Sequence, residues 1–451
     1  MTTTLIGLAS MTPSEPWIRP ALPATPSHPG TTRPPTSAPL TALAMTLAVQ
    51  MIAAIAMTSP SVLAPVIAGE IGIGAQHVGW LVSLAYLAAM LSGLAGGWTA
   101  QRFGSVRASQ GALLASAGGM AMMAAGHPVW LLAGAVVMGV GYGLPNPTAA
   151  EILSRHAPAD RRGLFFSIKQ TGVPLGVAVT GMLIPALLVM LNWSQAVLVL
   201  AGAMAITALM IGPTRGRLES DRASVGVKRG AAGGAAGGAT GAALRMRLIE
   251  PLREVIASPP TRRLAITSLV FAFTQVSFLT FLVSLLKLEH QFTLALSASL
   301  LAASQAASVV ARIGWGHVAD RWIDPTLLLG LLGLTMGVCI ALLGLAPPDT
   351  PVSAMLVITL ACAATAVSWN GVFFADLVRL VPPDRVARTT GATQFLTFMG
   401  GMIGSAAFAG LVSLSGSYSR VFTALAVLPA LTGLALLVGA ASRRRVGATP
   451  P

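Results

Sequence analysis

Twelve runs of apolar residues, each near the length that crosses a bilayer, constrain this chain more than any other feature of it. They cover 40–66, 77–98, 107–126, 129–153, 163–190, 194–213, 264–287, 294–315, 325–346, 352–378, 389–414 and 418–441, numbered here as spans 1 to 12. About 20 helical residues cross the hydrocarbon core. Inside it every backbone N–H and C=O needs a partner within the chain, which leaves only helices and closed barrels. The polar–apolar alternation of barrel strands is absent from these runs. Charged residues make up 9% of the 451, against roughly 25% in a soluble domain. The expectation is an all-α membrane protein with twelve transmembrane helices.

A net charge of +14 would fit nucleic acid, but its placement does not. With both termini in the cytoplasm, 24 of the 28 Lys and Arg fall in tails and cytoplasmic loops. Lys287 and Arg420 fall outside, and Lys169 and Arg312 fall within spans. That asymmetry is the positive-inside pattern. It predicts a multi-pass protein of a bacterial-type inner (plasma) membrane with both termini cytoplasmic. Its partners are the lipid bilayer and a small molecule, with no nucleic acid. A monomer is expected.

No cofactor, metal site or enzyme activity is expected either. Cys339 and Cys362 both lie inside apolar runs, and the six histidines lack metal-ligand spacing. Motifs for nucleotide binding (G-x-x-x-x-G-K-[ST]), zinc hydrolysis (H-E-x-x-H) and serine hydrolysis (G-x-S-x-G) are absent. The start of the chain has no basic region leading into an apolar core, so no cleaved signal peptide is expected.

Composition divides the chain into five parts. Residues 1–38, rich in Pro, Ser and Thr, predict a disordered cytoplasmic tail. Spans 1–6 occupy 39–213, and spans 7–12 occupy 263–441. Between them, 214–262 holds the Gly/Ala-rich "KRGAAGGAAGGATGAALRMR", a cytoplasmic linker. Its end, "LRMRLIEPLREVI", is either a surface amphipathic helix or solvated chain. Residues 442–451 form a second cytoplasmic tail.

The two sets of six spans are repeats of each other. "NPTAAEILSRHAPADRR" from Asn146 overlays "NGVFFADLVRLVPPDRV" from Asn370 at an offset of 224. The same offset pairs Gln170 with Gln394 and Gly176 with Gly400. An offset of 219 pairs "GWTAQR" from Gly97 with "GHVADR" from Gly316. Duplicated halves predict two pseudo-symmetric six-helix bundles with a substrate site between them, near the midplane.

"GGWTAQRFGSVR" after span 2 and "GWGHVADRW" after span 8 resemble the G-x-x-x-D-R-x-G-R/K loop of the major facilitator superfamily. Twelve spans, a long central loop and the "GEIGIGAQHVGWLVSLAYL" entry to span 2 are similar to the same family, over about 40–440. The resemblance implies two bundles rocking around a central cavity. It also implies that spans 1, 4, 7 and 10 line that cavity and spans 2, 5, 8 and 11 form the seams. In the N-terminal copy it carries gating roles to Gly97, Gln101, Arg102, Gly104 and Arg107. In the C-terminal copy it carries them to Gly316, Asp320 and Arg321. Gln101 stands where the family has Asp. The amide forgoes a charge–dipole contact of typically 0.3–1 kcal/mol, so the N-terminal latch is expected to be the weaker one. Glu151 is the expected partner of the loop arginines. Glu151 with Arg155, and Asp376 with Arg379, have helical pair spacing and are read as structural or gating pairs.

Lys169 and Arg312 are the charges that topology leaves over. Lys169 lies seven residues past Arg162, about 10 Å inward, and Arg312 eight residues before Asp320, about 12 Å inward. Two readings stay open. Both snorkel to headgroups, or both serve an anion. No acidic residue stands near the middle of any span, which favours an anionic substrate that supplies the missing charge. Any proton would then ride on the substrate's own carboxylate, as in a symporter. Uncharged polar candidates extend the site: Gln170 and Gln394, Asn146 and Asn370, Tyr142 and Trp369, Gln50 and Gln275. Gly139 and Gly143 predict close helix contact, and Pro145, Pro147 and Pro174 predict kinks.

The function expected is secondary active or facilitative transport by alternating access, of a small organic anion such as a monocarboxylate. The alternative within transport is efflux of drugs or other amphiphiles. From another class, a non-transporting receptor or scaffold would have no use for loop motifs retained in both halves.

Overall fold

A computed structural model describes residues 38–158, 162–219, 250, 252–381 and 386–447. The side chains at 101, 162–164, 167, 320, 378, 386–388 and 441–447 lie outside that description. So do nearly all of the expected N-terminal tail, the body of the linker, and the Asp160, Arg161, Pro382, Asp384 and Arg385 members of the repeat.

The described elements are helices. Span 1 is Ala38–Ile71, span 2 Val78–Phe103, span 3 Ser105–Met123 and span 6 Trp193–Met210. Span 7 is Pro259–Leu288, span 8 Leu294–Arg321, span 9 Pro325–Leu345 and span 11 Val386–Ser415. The other four are broken: span 4 into Pro128–Gly143 and Pro145–His156, span 5 into Arg162–Gln170 and Gly172–Leu187. Span 10 divides into Val352–Ala366 and Asn370–Leu380, and span 12 into Tyr418–Leu425 and Val427–Gly447. Eleven of the twelve are long and apolar enough to cross a membrane. Span 3, with 19 residues, completes the set; Ser105, Arg107, Ser109 and Gln110 make its first turns polar.

Local chemistry explains starts and breaks. Pro128, Pro259 and Pro325 open spans 4, 7 and 9, where a missing N–H costs nothing. Span 6 opens on a capping box: Asn192 Oδ1 accepts from Gln195 N at 2.8 Å and Gln195 Oε1 accepts from Asn192 N at 3.2 Å. Pro174 and Pro429 have no N–H for the carbonyls of Gln170 and Leu425, and spans 5 and 12 break beside those carbonyls. Pro145 and Pro147 break span 4 in the same way.

Two departures concern the ends of the bundles. The N-terminal bundle does not stop at 213. A turn over Gly212–Thr214 and the short helix Arg215–Leu218 fold back on it. Leu218 is buried with Val106, and Glu219 Oε1 accepts from Val106 N at 2.9 Å. Before span 7, residues 252–257 are helical, and Leu252 and Val255 pack on Ala265, Ala392 and Leu396 of spans 7 and 11.

The halves repeat in three dimensions. Gly176 of span 5 presses on the Met51 carbonyl of span 1, and its mate Gly400 of span 11 presses on the Leu269 carbonyl of span 7. Glu70, ending span 1, accepts from Trp193 Nε1 at the start of span 6 at 2.5 Å. Its counterpart Glu289, ending span 7, caps span 12 by accepting from Tyr418 N at 2.5 Å and Ser419 N at 3.0 Å. On the face that carries the termini, Glu151 accepts from Ser105 Oγ of span 3 at 2.7 Å and pairs with Arg155. Asp376 accepts from Thr326 Oγ1 of span 9 at 2.8 Å and pairs with Arg379 at 3.2 Å. Glu151 thus engages Ser105 and Arg155; no described ion pair joins it to Arg102 or Arg107, contrary to expectation.

Two seams join the halves, between spans 2 and 11 and between spans 5 and 8. On the face remote from the termini they are tight. A methyl at Gly79 would run into the Ser405 carbonyl, and one at Gly181 would stand 2.6 Å from the Ala298 carbonyl. Toward the terminal face, Gly97, Gly314, Gly316 and Gly391 have open space beside them. The molecule is closed on the remote face.

This packing can be tested at two points. Gly139 lies so close to the Ala85 carbonyl that a Cβ would collide with it, while Gly118 of span 3 has nothing within 4 Å. Gly139→Ala is expected to cost about 1–3 kcal/mol by overpacking, read as a lower Tm in detergent, with Gly118→Ala neutral. The second point is Asp324, which caps span 9 and pairs with Arg379. The hydrogen bond from Arg379 holds its carboxyl below the usual range. A depressed native pKa stabilises above the unfolded value, near 3.9, and that contribution fades as pH falls through the native one. Below about pH 4 the wild type is expected to lose a small increment of Tm, while Asp324→Asn is flatter with pH in that window.

Candidate functional site

Lys169 is 2% exposed, so it does not snorkel. Its ammonium donates to Gln50 Oε1 of span 1 at 2.6 Å, Asn146 Oδ1 of span 4 at 2.5 Å and Gln170 Oε1 at 3.4 Å. All three acceptors are neutral amides. Among the described residues no carboxylate pairs with it. An ammonium has three donors and no acceptor, so the contacts saturate its hydrogen-bonding valence while leaving its charge uncompensated. Four of the expected polar residues thus meet at one point.

Arg312 sits beside them and does different work. Its Nη1 donates to the Gln170 carbonyl at 3.3 Å and its Nη2 to the Val367 carbonyl at 2.8 Å. Both carbonyls belong to helix breaks. Pro174 has deprived the Gln170 carbonyl of its helical donor. The Val367 carbonyl, at the break of span 10, otherwise accepts from Asn370 Nδ2 at 3.4 Å. Span 10 has no proline at this point; insertion of the guanidinium into its backbone ladder accounts for the interruption. One arginine of the C-terminal half therefore ties a break in span 5 of the N-terminal half to a break in span 10. Its Nε is buried without a partner.

A cavity of about 50 Å³ lies next to this cluster, lined by Ala54, Met57, Thr58 and Ser61 of span 1, Val82 and Tyr86 of span 2 and Tyr142 of span 4. Val173 and Val177 of span 5 and Gln275, Val276, Leu279 and Thr280 of span 7 complete it. Gln50, Asn146 and Lys169 each stand one helical turn from a lining residue, Ala54, Tyr142 and Val173, on the side of the termini. The cation cluster is the cavity's floor on that side. Spans 1, 4 and 7 line the cavity as expected. Spans 2 and 5 line it too, and span 10 acts through Trp369, whose Nε1 donates to Gln275 Oε1 at 2.9 Å. Tyr142 forms an aromatic wall with Tyr86 and Phe398, centroids 6.0 and 6.3 Å away.

Gln394 joins neither group. It is half-buried, and no described hydrogen bond holds it. Of the gating residues, Gln101 and Asp320 lie outside the described side chains. Gly104, at φ 98°, turns the chain from span 2 into span 3, a conformation that only glycine adopts without strain. Arg102 and Arg321 are exposed on the terminal face. The sequence reading missed Tyr86, Thr58, Ser61 and Thr280. Hydroxyls are so frequent in these spans that their identity carries no signal; only their missing partners distinguish them.

Two six-helix halves around a cavity of mixed polar and apolar lining, with interrupted helices at its floor, define a solute carrier. The chain belongs to the major facilitator superfamily, whose profile matches residues 46–405. The fold is similar to that of a POT family transporter crystallised with 5-aminolevulinic acid, at TM-score 0.66 and 15% identity, covering 88% of this chain and 95% of that one. It is similar also to a mutant of the peptide transporter POT in complex with alafosfalin, at TM-score 0.68 and 19% identity, covering 90% of this chain and 94% of that one. None of the curated proteins compared matches the chain.

Arg312→Ala removes the bond that joins the two breaks. The expectation is at least a several-fold fall in transport rate in proteoliposomes, with Tm lowered by the loss of charge-assisted bonds, each about 1.5–3 kcal/mol. Arg312→Lys, which cannot span two carbonyls, is expected to recover little of the rate.

Proposed function

We propose that this carrier moves a small organic anion, a carboxylate, through the cavity above Lys169. One observation carries the reading: a fully buried ammonium held only by neutral amide oxygens. Burying a lone charge is costly, and such groups persist where a partner arrives to pair with them. A carboxylate entering the cavity is that partner. Lys169 binds it; Gln50, Asn146 and Gln170 hold the ammonium in place while the cavity is empty. Arg312 sets the geometry of the neighbouring breaks instead of touching the anion.

No Asp or Glu lines the cavity, so no described carboxylate stands ready as a proton relay. A coupling proton would travel on the substrate. The placement of the positive charges supports cytoplasmic termini; on that reading this conformation, closed on the remote face, is the inward-facing one.

The test separates binding from folding. Lys169→Gln keeps an amide among amides and removes the uncompensated charge. Purified Lys169→Gln is expected to melt at or above the wild-type Tm, and to lose about 10–100-fold in carboxylate affinity, the worth of a charge-assisted hydrogen bond. A variant that melts well below the wild type yet binds carboxylates as tightly would make Lys169 a structural residue. Ligand-induced stabilisation by amphiphilic drugs alone would favour efflux.

A further inference from the structure

The hydroxyl groups of the spans fall into two sets. Most turn back on their own helix, as Thr46 does to the Ala42 carbonyl at 2.8 Å, Ser59 to Ile55 at 2.7 Å and Thr180 to Gly176 at 2.8 Å. Three do not. Thr58, Ser61 and Thr280 are 8%, 3% and 3% exposed, have no hydrogen bond among those described, and line the same cavity. Gln275 joins them there. Its Oε1 is taken by Trp369, which leaves its NH2 without a described partner. A polar group left without a partner costs free energy, and three hydroxyls and a half-buried amide facing one cavity, from span 1 of one half and span 7 of the other, are placed for a ligand that completes them.

We propose that the end of the substrate remote from its carboxylate carries hydroxyl groups, read by Thr58, Ser61, Gln275 and Thr280, so that the carrier's class of substrate is a hydroxylated carboxylate. This rests on the anion reading of Lys169. Thr58 lies two helical turns beyond Gln50, about 12 Å along span 1. A hydrogen bond at each end takes up about 2.8 Å. What remains, about 6 Å, is the length of a five- or six-carbon chain. An ammonium at the far end is disfavoured, because no carboxylate lines the cavity to receive it. Since the reading groups come from both halves, a bound hydroxyl end ties span 1 to span 7.

The experiment measures affinity of the purified full-length carrier for four six-carbon acids: hexanoate, 6-hydroxyhexanoate, gluconate and 6-aminohexanoate. Sorbitol is added as a neutral polyol. Thr58→Val, Ser61→Ala and Thr280→Val are measured singly, each as a ratio between ligands within one variant, so that partial loss of folded protein cancels. The expected order is gluconate and 6-hydroxyhexanoate about 10-fold or more above hexanoate, since a site built to bond a hydroxyl penalises the analogue that lacks it. That ratio is expected to shrink in each variant. Hexanoate binding as tightly as its hydroxylated partners, a ratio untouched in all three variants, or 6-aminohexanoate binding best would each overturn the proposal while leaving the anion reading intact. Sorbitol bound in a Thr58-dependent way, with no acid bound more tightly, would keep the hydroxyl site and sink the anion reading. No binding by any of the five overturns both.

Discussion

A buried ammonium surrounded by amides is the interaction on which the rest of this structure turns. In hydrocarbon its cost is several kcal/mol unless something neutralises it. The described residues supply three oxygens and no charge. Span 1 gives Gln50, span 4 Asn146 and span 5 Lys169 with Gln170. These spans are brought together by close backbone contacts, such as Gly176 against Met51. The packing that costs nothing special thus positions a charge that costs a great deal. A charge assembled this way has hydrogen-bond partners but no described counter-charge, and that imbalance is what the proposed anion would remove.

The helix breaks connect that site to movement. A proline in span 5 releases the Gln170 carbonyl; the same residue's side chain touches Lys169, and its carbonyl accepts from Arg312. Anything that draws Lys169 away from Gln170 therefore acts on a residue that also holds the opposite half. Arg312 carries the contact onward to Val367 and the break of span 10. Two discontinuous helices in different halves are joined by one side chain, so a shift at either break is felt at the other.

How much of this was legible beforehand differs by level. The fold was plain, because apolar length and backbone saturation leave one solution. Repeat, kinks and close glycine contacts were plain too, since Pro and Gly act through backbone geometry that does not depend on context. The site was only half legible. Lys169, Gln50, Asn146 and Gln170 stood out as polar residues in apolar runs, and they meet. Gln394 stood out for the same reason and has no described hydrogen bond. Arg312 has the same charge as Lys169 but serves two backbone carbonyls, a role visible only once both breaks are in place. Thr58, Ser61 and Thr280 could not be singled out at all, because a hydroxyl that bonds its own helix and one that faces a cavity are the same letter.

The repeat itself shows where function was added. At the offset that pairs Gln170 with Gln394, Lys169 corresponds to Thr393, which donates to the Thr390 carbonyl of its own helix. By the glycine contacts that pair Met51 with Leu269, Gln50 corresponds to Ser268, which donates to Ala265. The C-terminal half thus keeps the scaffold and satisfies these positions locally with short hydroxyls. The N-terminal half replaces them with a long cation and a long amide that reach each other across helices. Symmetry supplies two bundles of the same build. The break in symmetry leaves the Lys169 ammonium on the N-terminal side of the cavity, while the C-terminal half meets the cavity itself through Gln275 and Thr280, which carry no charge, and keeps its own cation, Arg312, on backbone carbonyls.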